Sequence, residues 1–446
     1  MIAYKNGLIW VSEDEKFLEY IKHINHKKFR ENFVFYPSEV ILKKPEIFNE
    51  IKGIELTQPP KIRKEPTLRK YQDDAYKKWS EKKRGVIIMP TGTGKTLVGI
   101  KAICSLAKPT LCVVPTLSLV DQWIEKIKEF SEDVGEWSGR KKNLSPITIT
   151  TYDSASISAE FLGNKFELII FDEVHHLPSE NYRKIALLSV APYRMGLTAT
   201  VEREDNLHEL IKEFVGDFYR IEFHDVRDFI AQWDIKQIKV RMNQENYQKY
   251  RELMRKYVNF CVKRGLDPSN KSTIFDLIKA SSYSQEAREA LIAHRIAKDI
   301  SKNSDEKIEI VRELLQKHKE DKTIIFTDSQ SMAYKISEAF FIPCITSEIP
   351  NEERKKYIQG FSSGVFPAIV SAHVLDEGVD VPDASCAIIV SGSSSAREFI
   401  QRLGRILRPS KPKAVLYEII SAGTSEKFSS ERRKNKIITN KTEQQE

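Results

Sequence analysis

Gly92, Gly94, Lys95 and Thr96 are the residues whose types and spacing point most directly to chemistry. They sit in Met89-Pro90-Thr91-Gly92-Thr93-Gly94-Lys95-Thr96, between a short apolar run (Val86–Met89) and a stretch with Ile100, Ile103 and Ala107 on one helical face. Glycines let backbone N–H groups face inward around a triphosphate, and the helix start adds partial positive charge. In such a loop Gly92, Thr93 and Gly94 form the cradle, Lys95 reaches the β/γ-oxygens and the Thr96 hydroxyl ligates Mg²⁺. Met89 stands where the strict pattern has its first glycine. The competing reading, an ordinary glycine turn, is disfavoured by the strand-loop-helix context.

A second set is acidic. Leu168–Phe171 is an apolar run ending in Asp172-Glu173, followed by Val174-His175-His176. Carboxylates at the carboxyl end of a parallel strand lie where open α/β sheets bind ligands. Asp172 is expected to hold Mg²⁺, and Glu173 to orient and deprotonate an attacking water. Alone, Asp-Glu at a strand end reads equally well as a helix cap. Beside the phosphate loop it reads as chemistry. His175 and His176 lack a third metal-ligating partner, so a hydrogen-bonding relay is the expectation. Thr198-Ala199-Thr200 offers two hydroxyls at another strand end.

A metabolite kinase could own all of this. The discriminating segment is Gln401-Arg402-Leu403-Gly404-Arg405-Ile406-Leu407-Arg408. Arg405 and Arg408, three apart, share one helical face and suit an arginine finger, an effect worth ~10³–10⁵ in rate. A basic surface helix end is the plainer alternative. Asp376-Glu377-Gly378-Val379-Asp380 adds a Gly-bearing acidic loop after a strand.

These residues need a scaffold to position them. The 446 residues suggest about three domains of roughly 150 residues, and 41% hydrophobic content can supply their cores. No apolar run approaches the ~18 residues of a membrane span, and the amino terminus does not read as a signal peptide. A net charge of +8 permits a polyanionic partner without requiring one. Five scattered cysteines without a Cys-x-x-Cys pair read as reduced core residues.

Residues 1–60 read as a small appended α+β domain, ending in the proline-marked linker Gln58–Pro66. From Thr67, apolar runs at Leu111–Val114, Ile147–Thr151, Leu168–Phe171 and Arg194–Thr198 alternate with helical stretches such as Val120, Trp123, Ile124 and Ile127. This alternation implies an α/β fold with a parallel sheet covered on both faces. A basic helical stretch from about 244 to 299 follows, its Tyr250-Met254-Tyr257-Cys261 stripe expected to pack against other helices rather than to stack on bases. A second α/β series has strands at Thr323–Phe326, Ala368–Ser371, Ala387–Val390 and Ala414–Ile420, and helices near 329–340, 351–360 and 395–407. Residues 426–446 form a basic polar tail.

The ordered set Met89–Thr96, Asp172–His175, Thr198–Thr200 and Gln401–Arg408 resembles a superfamily-2 DExH-box helicase across about residues 67–425. Asp172–His176, Gly196–Asp205 and Gln401–Pro409 most resemble the xeroderma pigmentosum group B (XPB) helicases of archaea. The resemblance implies two RecA-like domains, 67–227 and 301–425, with a thumb-like helical insertion at 228–300 and a damage-recognition role for 1–60. It implies ATP and Mg²⁺ as cofactors. Arg69 and Gln72 then belong to an adenine-recognising segment, and Gly378 and Asp380 to the nucleotide site. Gln401 joins the two arginines. Thr116, Thr151, Ser371 and Arg203-Glu204-Asp205 become DNA contacts, the last acting in strand separation.

The expected function is an ATP-dependent DNA helicase or translocase, running 3′→5′ in nucleotide-excision repair or transcription, working at single-strand/duplex junctions or forks. The resemblance further implies a nuclease partner, while the apolar runs and reduced cysteines lead to the expectation of no membrane and a cytoplasmic, nucleoid-associated location. The rivals are a duplex translocase that does not unwind, an ATP-gated scaffold that recruits a nuclease, and an RNA helicase.

Overall fold

A computed structural model describes residues 2–12, 23–90, 92–199, 207–221, 232–372, 384–391 and 413–426. The chain divides into two units, one built on Met1–Ile230 and one on Ala231–Asp376 with Val381–Glu446. Among the described residues no helix is long and apolar enough to cross a membrane.

The first unit opens with a four-stranded antiparallel sheet in the order β1-β2-β4-β3: β1 (Ile2–Lys5), β2 (Leu8–Ser12), β3 (Lys27–Phe29) and β4 (Asn32–Phe35). The β1–β2 hairpin turns through Asn6 and Gly7, both at positive φ (51° and 77°), as a two-residue turn matched to strand twist requires. Alternation along β2 sends Ile9 and Val11 into a core shared with Phe35, Val40 and Ile41. Val190, from the larger domain of this unit, completes that core, so residues 1–60 do not pack alone. The proline-marked linker is a strap: Arg63 N–H donates to Phe130 O (2.8 Å), Lys61 N–H donates to Asp133 Oδ2 (2.7 Å), and Glu65 pairs with Lys101.

Next comes a seven-stranded parallel sheet in the order β11-β5-β10-β9-β6-β8-β7. Its strands are β5 (Arg84–Ile88), β6 (Thr110–Val114), β7 (Val134–Trp137), β8 (Ile147–Thr151), β9 (Leu168–Asp172), β10 (Tyr193–Thr198) and β11 (Phe218–Arg220). β6, β8 and β9 are buried along their whole length, because helices cover both faces. All strands run the same way, so the loops after β5, β6, β8, β9 and β10 gather at one edge.

The second unit holds a six-stranded parallel sheet in the order β12-β17-β16-β13-β15-β14. These are β12 (Gln232–Val240), β13 (Thr323–Thr327), β14 (Cys344–Ile345), β15 (Ala368–Ala372), β16 (Cys386–Ile389) and β17 (Lys413–Ser421). The boundary expected at 228 for the helical insertion needs correction: β12 pairs with β17 along all nine of its residues, Gln232–Val240, and belongs to the sheet. The helices that follow are Gln244–Lys263, Lys271–Ala280 and Gln285–Lys302. Tyr257 and Cys261 are buried with Leu277 and Ala290, and Tyr250 with Met242 and Ala297, so the stripe is packing. Ser421 Oγ donates to Ser301 O (2.7 Å) and Ser425 N–H to Tyr250 Oη (2.9 Å), pinning these helices to the end of β17. All five cysteines are free and buried.

Candidate functional site

The site begins where β5 ends. Met89 N–H donates to Thr198 O (3.0 Å), tying the start of the glycine loop to β10. Gly92 and Gly94 sit at φ 78° and 81°, left-handed values that disfavour a Cβ. Gly94 is required twice, since a Cβ there would lie 2.5 Å from Gln72 Nε2. The helix Lys95–Leu106 starts immediately after it. The loop is braced from the helix Lys70–Lys82: Gln72 Nε2 and Tyr71 Oη both donate to Thr93 O, at 2.7 and 3.0 Å. Gln72 Oε1 accepts from Arg69 N–H (2.9 Å). Of the expected adenine-recognising residues, Gln72 is thus bonded to the phosphate loop and Arg69 to Gln72. Thr93 Oγ1 donates to Pro90 O (2.6 Å), and Lys95 Nζ to Met89 O at a long 3.4 Å.

Asp172 closes β9 and is 5% exposed. Its Oδ2 accepts from Trp123 Nε1 (2.9 Å), and its Oδ1 from Glu173 N–H (3.0 Å). Tyr152 Oη donates to the Asp172 carbonyl (3.0 Å). Glu173 has φ 48° and ψ 55°, a left-handed conformation that costs a non-glycine residue on the order of 1 kcal/mol and here redirects the chain. Its Oε2 accepts from Thr198 Oγ1 at 3.3 Å and lies 3.4 Å from His175 Nδ1. His175 Nδ1 is also 3.1 Å from Thr198 Oγ1, so Glu173, Thr198 and His175 form a polar cluster, in which Glu173 and Thr198 stand where His176 was expected beside His175.

Burial and the neighbouring Glu173 charge push the Asp172 carboxyl up, to about 6. Burial opposes the Glu173 charge as well, but Lys95, His175 and His176 together outweigh it and hold that carboxyl low. A buried and a half-buried carboxylate on adjacent residues titrate as a pair. Lys95 acts on both, which puts its charge at the pair. A divalent cation would relieve the same repulsion. Thr96 and Asp172 offer hard oxygen donors, with spare lone pairs on both Asp172 oxygens, and so suit Mg²⁺.

Two expected DNA-contact hydroxyls are helix caps at this same edge. Thr116 Oγ1 accepts from Leu119 N–H (3.4 Å) at the head of Leu117–Lys128, and Thr151 Oγ1 accepts from Ser154 N–H (3.2 Å) at the head of Tyr152–Ile157. In the second unit, Ser371 near the end of β15 is 1% exposed, and its Oγ has no hydrogen-bond partner among the described residues. Thr200, Arg203, Glu204, Asp205, Gly378, Asp380, Gln401, Arg405, Arg408 and the helix expected near 395–407 lie outside the described residues. Sequence reasoning missed three contributors: Trp123, Tyr71 and Tyr152. Each is a buried aromatic whose polar atom finds the site. Aromatics at helical spacing give no sequence signal beyond packing.

Comparison with known proteins agrees with this geometry. Residues 65–203 match the family model described as type III restriction enzyme, res subunit, and residues 306–410 match the helicase conserved C-terminal domain. The chain is 45% identical over 378 residues to a DNA 3'-5' translocase XPB2 of Sulfurisphaera tokodaii, covering 84% of this chain and 86% of that protein. It is 30% identical over 367 residues to a putative DNA 3'-5' helicase Rad25 of Halobacterium salinarum, covering 80% of this chain and 55% of that longer protein. The Hef helicase domain of Pyrococcus furiosus shares the fold, with a TM-score of 0.53, 20% identity, and coverage of 81% of this chain and 97% of that one. The two family models together with 45% identity over 84% of the chain to an XPB2 translocase lead to one assignment: the chain belongs to the XPB family of superfamily-2 helicases.

Proposed function

We infer that this chain is an ATP-dependent DNA helicase or translocase that tracks 3′→5′ in DNA repair or transcription. The observation that carries the reading is the convergence at one sheet edge of the glycine loop with Lys95, the Asp172–Glu173 pair and the Thr198–His175 contact. Gly92–Thr96 receives the triphosphate of ATP, with Lys95 on the β/γ-oxygens and Gln72 and Arg69 toward the adenine. Thr96 and Asp172 hold Mg²⁺, which when bound draws charge from the phosphate oxygens. Glu173, whose carboxyl is held low with Lys95 beside it, orients the attacking water and takes its proton. Thr198 and His175 hold that carboxylate in place.

Strand engagement falls to the caps at Thr116 and Thr151. The positive ends of the helices that these residues cap supply the phosphate contacts, without reading sequence. We assign Arg203-Glu204-Asp205 to strand separation, Ser371 to the backbone, and Gly378, Asp380, Gln401, Arg405 and Arg408 to the nucleotide, on resemblance alone. Substituting either arginine should lower hydrolysis far more than ATP affinity; an unchanged turnover rate removes the finger role. Residues 1–60 are assigned to distorted DNA. Trp10 and Phe29 meet edge-on at 5.8 Å with Arg30 over the Phe29 ring, an arrangement suited to unstacked bases. The nuclease partner and the nucleoid location extend the same proposal.

The test is ATP turnover measured side by side with single-stranded DNA, duplex, fork and RNA. Stimulation by DNA over RNA, falling steeply with salt, supports the reading. Stimulation by RNA alone overturns it. Strand-displacement and triplex-displacement assays then separate unwinding from duplex translocation.

A further inference from the structure

The helix Leu117–Lys128 buries three residues: Val120, Trp123 and Ile127. Only the tryptophan carries a polar atom, and it spends that atom on Asp172 Oδ2 at 2.9 Å. Trp123 itself is 0% exposed. Its ring is wedged on the far side by the helix of the phosphate loop, where a Cβ on Gly99 would lie 2.7 Å from Trp123 Cη2. The indole therefore cannot slide without pressing on the helix behind Lys95 or changing its bond to Asp172. Seven residues separate Trp123 from the Thr116 cap, close to two turns, so the two lie on the same side of the helix about 10 Å apart along its axis.

We propose that Trp123 is a positioning residue that fixes the Asp172 carboxylate for Mg²⁺ and passes strand engagement at Thr116 to that carboxylate. The transmission half rests on the proposed DNA contact at Thr116; the positioning half does not. A hydrogen bond that holds one carboxylate oxygen leaves its remaining lone pairs aimed in a fixed direction. Outer partners of this kind are worth about 10–100-fold in metal affinity or activity. A small shift or rotation of the helix on binding a phosphate backbone lengthens or shortens a 2.9 Å contact directly, since no flexible side chain intervenes.

The experiment compares Trp123→Phe with a chain carrying benzothienylalanine at 123, which keeps the bicyclic shape and lacks the N–H. Mn²⁺ binding to the protein with ADP is read by electron paramagnetic resonance without DNA, and ATP turnover is then read with and without DNA. Expected are a loss of about tenfold in Mn²⁺ affinity for both variants, an unchanged melting temperature for the isostere, and a reduced fold-stimulation by DNA. Wild-type Mn²⁺ affinity in the isostere overturns the positioning role. Weakened Mn²⁺ affinity with wild-type stimulation overturns transmission through Trp123. Absence of DNA stimulation in the unsubstituted protein overturns both the transmission and the proposed function, while the Mn²⁺ reading still decides the positioning role.

Discussion

The Thr198 hydroxyl at the end of β10 donates to the Glu173 carboxylate at the end of β9 across 3.3 Å, joining two adjacent strands through the proposed catalytic base. Glu173 needs this support because its own backbone is left-handed and the neighbouring Asp172 repels it. Glu173→Gln keeps shape and loses the base, so turnover should fall by ~10²–10⁴ with ATP binding retained. Thr198→Val removes one donor and should cost about tenfold at most. Single-turnover phosphate release measures both; Glu173→Gln within a few-fold of the parent would exclude the base assignment.

Lys95 supplies a second test. Its Nζ makes one long bond, to Met89 O at 3.4 Å, and otherwise acts through its charge on the Asp172–Glu173 pair. Lys95→Ala should abolish turnover while circular dichroism and DNA binding stay largely intact. Normal turnover in that variant would refute the phosphate loop.

How far the sequence foretold this molecule depends on where each strand sits. Interior strands such as β6, β9, β13 and β16 are buried along both faces and appear as continuous apolar runs, legible by eye. In the two parallel sheets, the strands that sequence reasoning missed are β7, β11, β12 and β14, and these are their four edges. An edge strand such as Gln232–Val240 carries polar residues among its apolar ones and no longer stands out. The glycine loop and the Asp-Glu pair were legible because their chemistry restricts residue type and spacing. Trp123, Tyr71 and Tyr152 were not, because their partners lie 20 to 50 positions away in sequence and only the sheet order brings them together.

Arg194 offers a stability test away from the chemistry. It is 0% exposed, and its guanidinium donates to four carbonyls: Ala191 O (3.1 Å), Phe214 O (2.7 Å), Ala186 O (3.1 Å) and Ser189 O (3.0 Å). Phe214 and Ala186 lie at helix carboxyl ends, where positive charge is favoured. Burial draws its pKa down to about 9, and the four carbonyls offset the cost of a charge with no carboxylate beside it among the described residues. Arg194→Met leaves those acceptors unsatisfied at ~1–3 kcal/mol each before relaxation, so a loss of at least ~3 kcal/mol is expected. Urea unfolding followed by fluorescence should show the transition at clearly lower denaturant; an unchanged midpoint would mean the cage is not stabilising.

His294 gives the second unit a pH dependence. Its ring stacks on Tyr257, centroids 4.2 Å apart and planes at 29°, within the helices after β12. Burial, with help from Lys298, lowers its pKa from 6.5 to about 4. An unfolded chain takes up a proton on this group near pH 6.5, whereas the folded one resists until about 4. Its contribution to stability is therefore full above pH 6.5 and is lost as pH falls from there toward 4. His294→Gln cannot titrate and should lose less stability between pH 7.5 and pH 5 than the parent, even if it is less stable at neutral pH. Melting curves of both proteins across that range test the sign: parallel losses would show that His294 does not set the acid sensitivity of these helices.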